Sequence, residues 1–128
     1  MEITLKKKVI VNQEDIDDIM CTALEGGITY WCMNAQSCMD SEWMQKNNIE
    51  YCSEIISHGG DIALTTLDGD YILTLNSFYK GLQMLIDESG EYYLEQTNDG
   101  YALETSEIDA DIADLIIQYA IFGKLVYA

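Results

Sequence analysis

The chain contains no arginine and no proline, and its cationic side chains are six lysines and a single histidine. Lacking arginine, it has no planar guanidinium fork for holding phosphate in a bidentate grip. With no proline, no low-complexity tract and no linker composition, one domain spanning residues 1–128 is expected. No apolar run approaches the roughly 20 residues that cross a bilayer. The N-terminal Met1, Glu2, Lys6, Lys7 and Lys8 frame no signal-peptide core, so an intracellular protein without membrane contact is expected.

Other absences narrow the chemistry. Cys21, Cys32, Cys38 and Cys52 contain no CxxC pair, and His58 alone could complete a zinc site that needs two closely spaced ligand pairs. Reduced thiols and no metal are expected. Gly26-Gly27 and Gly59-Gly60 follow helical segments, whereas phosphate loops need glycines leading into a helix, so no cofactor cradle is predicted. His58 could form a nucleophilic dyad with a cysteine, but it stands at a helix stop, where histidine suits the helix dipole. Asp68-Gly69-Asp70 and Asp109-Ala110-Asp111 with Asp114 resemble calcium-loop fragments without the twelve-residue spacing, and they read better as a turn and a helix start. No catalytic residue is assigned, and a non-enzymatic protein is expected.

What remains is a foldable, strongly acidic chain. Of its 128 residues 48% are hydrophobic and 23% charged, close to globular averages, yet 23 acids against six lysines leave a net charge of −17. Such a field repels nucleic acid and anionic lipid and attracts basic surfaces, so direct nucleic-acid binding is not expected. Acidity serving solubility alone is the competing explanation.

Periodicity predicts an α+β domain, a mainly antiparallel sheet with β-hairpins packed against three to four helices. Residues 3–11 alternate as a strand through Ile3, Leu5, Lys7, Val9 and Val11. Asn12 caps a helix over 13–25 with Ile16, Ile19, Met20, Ala23 and Leu24 on one face, and Gly26-Gly27 ends it in a left-handed conformation. Residues 28–48 predict a short strand or irregular helix, then a mobile loop carrying Trp43 and Met44. A short helix over 49–57 places Ile49, Cys52, Ile55 and Ile56 inward. Asp68-Gly69 suits the centre of a type I′ hairpin turn between strands bearing Ile62, Leu64, Tyr71, Leu73 and Leu75. Asn76 caps a helix over 77–87 with Phe78, Leu82, Leu85 and Ile86 inward. A second hairpin turns at Asn98-Asp99-Gly100, with Tyr92, Leu94, Tyr101 and Leu103 inward. Asp109 caps a helix to Phe122 that keeps almost no polar face beyond Gln118, and Lys124 to Ala128 predicts a last strand inside the sheet. Ile19, Leu24, Leu82, Ile116 and Tyr119 are the expected core.

The candidate binding surface lies between Asp87 and Asp114, which hold ten acids and no lysine. Carboxylates along a rigid hairpin can imitate a row of phosphates, with tyrosines adding apolar contact. The residues assigned to a partner are Glu91, Tyr92, Tyr93, Glu95, Asp99, Tyr101, Glu104 and Glu107. A solvated charged face is the plain alternative.

The run Thr22 to Cys32 (TALEGGITYWC), Ser57 with Gly59 and Gly60, and Gln118 to Gly123 (QYAIFG) resemble small acidic proteins encoded by phages and prophages of Gram-positive bacteria. The resemblance covers most of the chain, carries no functional residue with it, and implies a mobile-element origin and the cytoplasm of a bacterial host. Joined to the charge, it leads to the expectation of an anti-defence protein of anti-CRISPR type. Its partner is then a basic, Lys- and Arg-rich bacterial protein such as a CRISPR-Cas effector, whose nucleic-acid channel it fills by mimicry. Two other readings stand beside this one: a sponge for an immune nucleotide signal, and a structural or housekeeping phage protein. Oligomer formation is compatible with each.

Overall fold

A computed structural model describes residues 8–128. The chain runs through β1 (Val9–Ile10), α1 (Gln13–Thr22), a π-helical turn (Ala23–Gly27), β2 (Asn34–Ser37) and α2 (Ser41–Lys46). After 3-10 turns at Cys52–Glu54 and Ile56–His58 come β3 (Ile62–Thr66), β4 (Gly69–Leu73) and α3 (Leu75–Ser89). β5 (Leu94–Thr97), β6 (Gly100–Leu103), a 3-10 turn at Thr105–Glu107 and α4 (Ala110–Phe122) complete it. The strands form two three-stranded sheets, ordered β1-β6-β5 and β2-β3-β4. All pairings are antiparallel except β1 with β6. The α+β class and its hairpins are therefore as the periodicity predicts, although the strands divide between two small sheets.

The core collects the apolar faces of α1, α3 and α4 with the inner residues of β3. Ile19, Leu82, Ile116 and Tyr119 are buried, whereas Leu24, expected beside them, is half-buried. α3 and α4 approach closely at Gly81, whose missing side chain permits it: a Cβ there would collide with the backbone at Ile116 and Ala120. Ile62, Leu64 and Leu73 are fully buried, while Tyr71 is half-buried and Leu75 begins α3 rather than ending β4.

Caps explain the helix starts. The Asn12 side chain accepts from Asp15 N at 2.9 Å and the Asp15 carboxylate accepts from Asn12 N at 3.1 Å, a reciprocal box that opens α1. Asp109 likewise accepts from Ile112 N at 3.0 Å. For α3 the predicted cap Asn76 is incorrect. Thr74 is the extended residue that accepts from Ser77 N at 3.1 Å, and Ser77 Oγ accepts from Thr74 N at 2.9 Å, which starts the helix two residues early.

Gly26 and Gly27 do not end α1 in a left-handed conformation, since neither has positive φ. The helix widens instead, with Ile28 N donating to Ala23 O at 3.0 Å, five residues back. Glycine is required at 27 for another reason: a Cβ there would lie 2.6 Å from Ala110 O, where α4 begins.

Other expectations are corrected by local geometry. Of the strand expected over 3–11, Ile3, Leu5 and Lys7 lie outside the described residues, and β1 occupies Val9–Ile10. Residues 49–57 form two 3-10 turns rather than one helix, with Ile55 and Ile56 buried and Ile49 and Cys52 half-buried. Thr66 pairs with Gly69, so Leu67 and Asp68, neither with positive φ, are the central residues of the first hairpin turn. It is not a type I′ turn. Trp43 and Met44 sit half-buried on the short helix α2, which the Asp40 side chain caps through Trp43 N at 2.9 Å. Residues 124–128 are not a strand, and what holds them is described below.

Candidate functional site

The acidic segment is built as a hairpin between two helices. Leu94 pairs with Leu103 and Thr97 with Gly100, leaving Asn98 and Asp99 at the turn. Glu91, Glu95, Asp99 and Glu107 are exposed, and Tyr92 stands among them 66% exposed. Two assigned residues also act within the fold. Tyr101, half-buried, donates its hydroxyl to Glu91 Oε1, a bond that raises its pKa, and Ser106 Oγ donates to the half-buried Glu104 at 2.6 Å.

Tyr93 corrects both the site and the inward set. It is 9% exposed and belongs to the core, while Tyr92, expected inward, points out. The two-residue alternation fails here because Tyr92 N donates to Ser89 O and Leu94 N to Glu91 O, turns that precede β5 and shift its phase. Seven of the eight assigned residues thus remain at least partly accessible. Cations are sparse around them. No lysine lies between Gly81 and Gly123 in sequence, but Lys8 sits beside β6, its carbonyl accepting from Tyr101 N at 2.9 Å.

A second constellation joins residues far apart in the chain. Trp31 Nε1 donates to Asp114 Oδ1 at 2.6 Å, Tyr30 Oη to Asp114 Oδ2 at 2.6 Å, and Gln118 Nε2 to Asp114 Oδ1 at 2.9 Å. Three donors converge on one buried carboxylate, which is how a buried charge is tolerated. Gln118, fully buried, turns its other end to the chain terminus: Oε1 accepts from Val126 N at 2.9 Å and Tyr127 N at 2.8 Å, and Nε2 donates to Tyr127 O at 3.0 Å. The side-chain amide substitutes for a strand neighbour. Tyr127 then stacks on Trp31, ring centroids 5.4 Å apart and 4° from parallel, and donates to Asp68 Oδ2 at 2.7 Å.

This network uses Tyr30 and Trp31 of the Thr22 to Cys32 run and Gln118 and Phe122 of the Gln118 to Gly123 run to close the fold. Burial and the bond to Asp114 push the Tyr30 hydroxyl up to about 12. By sequence Asp114 belongs to a helix start and Gln118 is the remaining polar face of that helix; the signal of their pairing is a four-residue spacing on an otherwise apolar helix.

Ser57 and His58 lie close to Asp17 without forming a nucleophilic arrangement. Ser57 Oγ is 2.5 Å from Asp17 Oδ1, and His58 Nδ1 is 2.8 Å from Glu54 O. The shorter partner takes the Nδ1 proton, leaving no base at Nδ1 for the serine 3.3 Å away. Gln13 Nε2, at 3.2 and 3.0 Å from the two ring nitrogens, lies over the imidazole face.

The four cysteines are unbridged, and burial raises the pKa of each, which disfavours the thiolate. Among the described residues no group of three or more His, Cys, Asp or Glu is placed to hold a metal ion, and no helix is long and apolar enough to cross a membrane. Comparison with protein-family models, with curated proteins and with solved structures finds no match to this chain.

Proposed function

We propose that this protein is a phage-encoded anti-defence inhibitor of anti-CRISPR type, binding the basic nucleic-acid surface of a bacterial immune effector in the effector's host cytoplasm. One observation carries the reading. Glu95 and Asp99 project from a hydrogen-bonded hairpin, and Glu91 and Glu107 from the turns before and after it, with exposed Tyr92 among them. Carboxylates held on a paired backbone lose little entropy on binding and present charge at fixed spacing, as a phosphate chain does. Tyr92 adds the amphipathic contact common at interface centres.

The test is displacement. A purified CRISPR-Cas effector is bound to its target DNA, and the protein is titrated in while the mobility of the complex is followed. Wild type should release the DNA, less effectively as salt shortens the Debye length below about 8 Å. Combined reversal of Glu95, Asp99 and Glu107 to Lys should abolish release with the fold intact. Reversal of Glu14 and Glu42, exposed carboxylates on α1 and α2, should not. Equal loss in both sets would assign the effect to net charge, and no release from any member of an effector panel would sink the proposal.

A further inference from the structure

The segment 124–128 is held as a bound peptide is held, by side chains that belong to other parts of the fold. Gln118 Oε1 accepts from the backbone N–H of Val126 at 2.9 Å and of Tyr127 at 2.8 Å, and Gln118 Nε2 donates to Tyr127 O at 3.0 Å. The Tyr127 ring stacks on Trp31, meets Phe122 at a centroid distance of 5.9 Å and gives its hydroxyl to Asp68 Oδ2 at 2.7 Å. No hydrogen bond to another described residue holds Lys124 or Leu125, and Leu125 and Val126 are 52% and 46% exposed. Gly123, at φ 73° with open space where a Cβ would stand, joins the segment to α4. Anchorage therefore comes from two peptide groups and one aromatic side chain.

The groups that receive the segment are fixed by bonds in which it takes no part. Trp31 Nε1 and Gln118 Nε2 both donate to Asp114, and Tyr71 braces Phe122 through an edge contact with centroids 4.8 Å apart. Side chains held in place before an occupant arrives lower the cost of binding it. Withdrawal of the segment also strips Gln118 Oε1, in a fully buried residue, of both its donors. A buried acceptor without a donor is costly, so the site favours replacement of the segment over its simple loss. We propose that Trp31, Asp68 and Gln118 form a peptide-recognition site, occupied in cis by Val126 and Tyr127, for an extended tyrosine-bearing segment of a partner protein. The occupant in place defines the ligand. Two successive N–H groups exclude proline at the tyrosine and at the residue before it, the stack on Trp31 requires an aromatic ring, and Asp68 selects the hydroxyl. Phosphotyrosine is refused, because its phosphate would meet Asp68 within a chain at −17. The same net charge disfavours a second copy as the source of the segment. No residue of the acidic hairpin takes part, so the site does not rest on the hairpin's role.

The probe is a capped Lys-Leu-Val-Tyr-Ala peptide, the sequence of residues 124–128, added to the full chain carrying Tyr127→Pro. That substitution removes the cis ring and one cis N–H together. Binding is followed through the indole N–H resonance of Trp31. The peptide should bind the variant and shift this resonance, and it should bind the wild type at least roughly tenfold more weakly, because the tethered segment competes at high local concentration. A phenylalanine in place of the peptide's tyrosine should weaken binding roughly tenfold, the scale of a lost hydrogen bond to a charged acceptor. Adding Asp68→Ala should erase that difference, and the phosphotyrosine peptide should not bind. If the proline variant does not fold, the wild type at saturating peptide decides: the displaced Val126 and Tyr127 amides should exchange faster. No binding to a folded variant, equal affinity for variant and wild type, or indifference to the hydroxyl with Asp68 present overturns the proposal. So do unchanged exchange at Val126 and Tyr127 in the saturated wild type, and wild-type dimers formed by exchanging the segment between copies.

Discussion

Trp31 and Asp114 stand 83 positions apart in sequence, yet the indole Nε1 donates to the carboxylate at 2.6 Å, with both residues buried. The bond ties the segment after α1 to the second turn of α4. Asp114→Ala leaves the buried Trp31 Nε1 without its acceptor and takes one acceptor each from Tyr30 and Gln118, which keep Tyr127 O, and it should cost about 3 kcal/mol, since hydrogen bonds to charged groups are the stronger class. Urea unfolding followed by tryptophan fluorescence measures it. A double-mutant cycle with Trp31→Phe should show coupling, and additive costs would mean the bond contributes nothing of its own.

Gln118 holds residues 124–128 as a backbone neighbour would. Gln118→Leu should destabilise by about 1 to 3 kcal/mol and let the Val126 and Tyr127 amides exchange freely. Gln118→Glu should be worse at neutral pH, because it sets a second carboxylate beside Asp114 and removes the three donor contacts of Nε2, and acid should narrow the gap. Unchanged exchange at Val126 and Tyr127 in both variants would exclude the latch.

The adjacent glycines at 26 and 27 should respond oppositely. A Cβ at Gly27 meets Ala110 O at 2.6 Å and Asp114 N at 3.4 Å, backbone atoms that cannot swing aside, so Gly27→Ala should cost about 1 to 3 kcal/mol. At Gly26 nothing lies within 4 Å and φ is not positive, so Gly26→Ala should be neutral or stabilise by up to about 1 kcal/mol. Thermal unfolding of the two variants separates close approach from conformational freedom as the reason for this pair.

Alkali should loosen the fold through Tyr30 and Tyr119, whose hydroxyls are pushed up to about 12, the first chiefly by burial and the second chiefly by its bond to Glu88. Both bind their proton more tightly when folded. Their contribution is therefore complete below the ordinary tyrosine value near about 10 and is lost as pH rises towards 12. Stability measured across that window should decline, less steeply in Tyr30→Phe, and the tyrosinate absorbance should rise late. Flat stability up to pH 12 would show that these hydroxyls are not held as described.

The parts of the fold legible in sequence share one physical feature: each is decided by neighbours within a few residues. Asn12 and Asp109 as caps, the apolar stripes of α1, α3 and α4, and the Ile62–Leu64 alternation follow from local hydrogen bonding and side-chain period. The acidic hairpin was legible in the same way, but its inward tyrosine was not. A turn before β5 exchanges the roles of Tyr92 and Tyr93, and residue type cannot report a phase shift.

Charge, composition, the α+β class and the existence of α1, α3, α4 and the two hairpins were thus legible in the sequence alone. Tertiary structure decided where buried polarity goes. Asp114 and Gln118 look like solvated residues of a helix until Tyr30, Trp31 and Tyr127 arrive from distant positions to satisfy them. It also decided that Gly27 marks a close approach to α4. Each depends on contacts between segments far apart in the chain, and no local propensity encodes which segment will meet which.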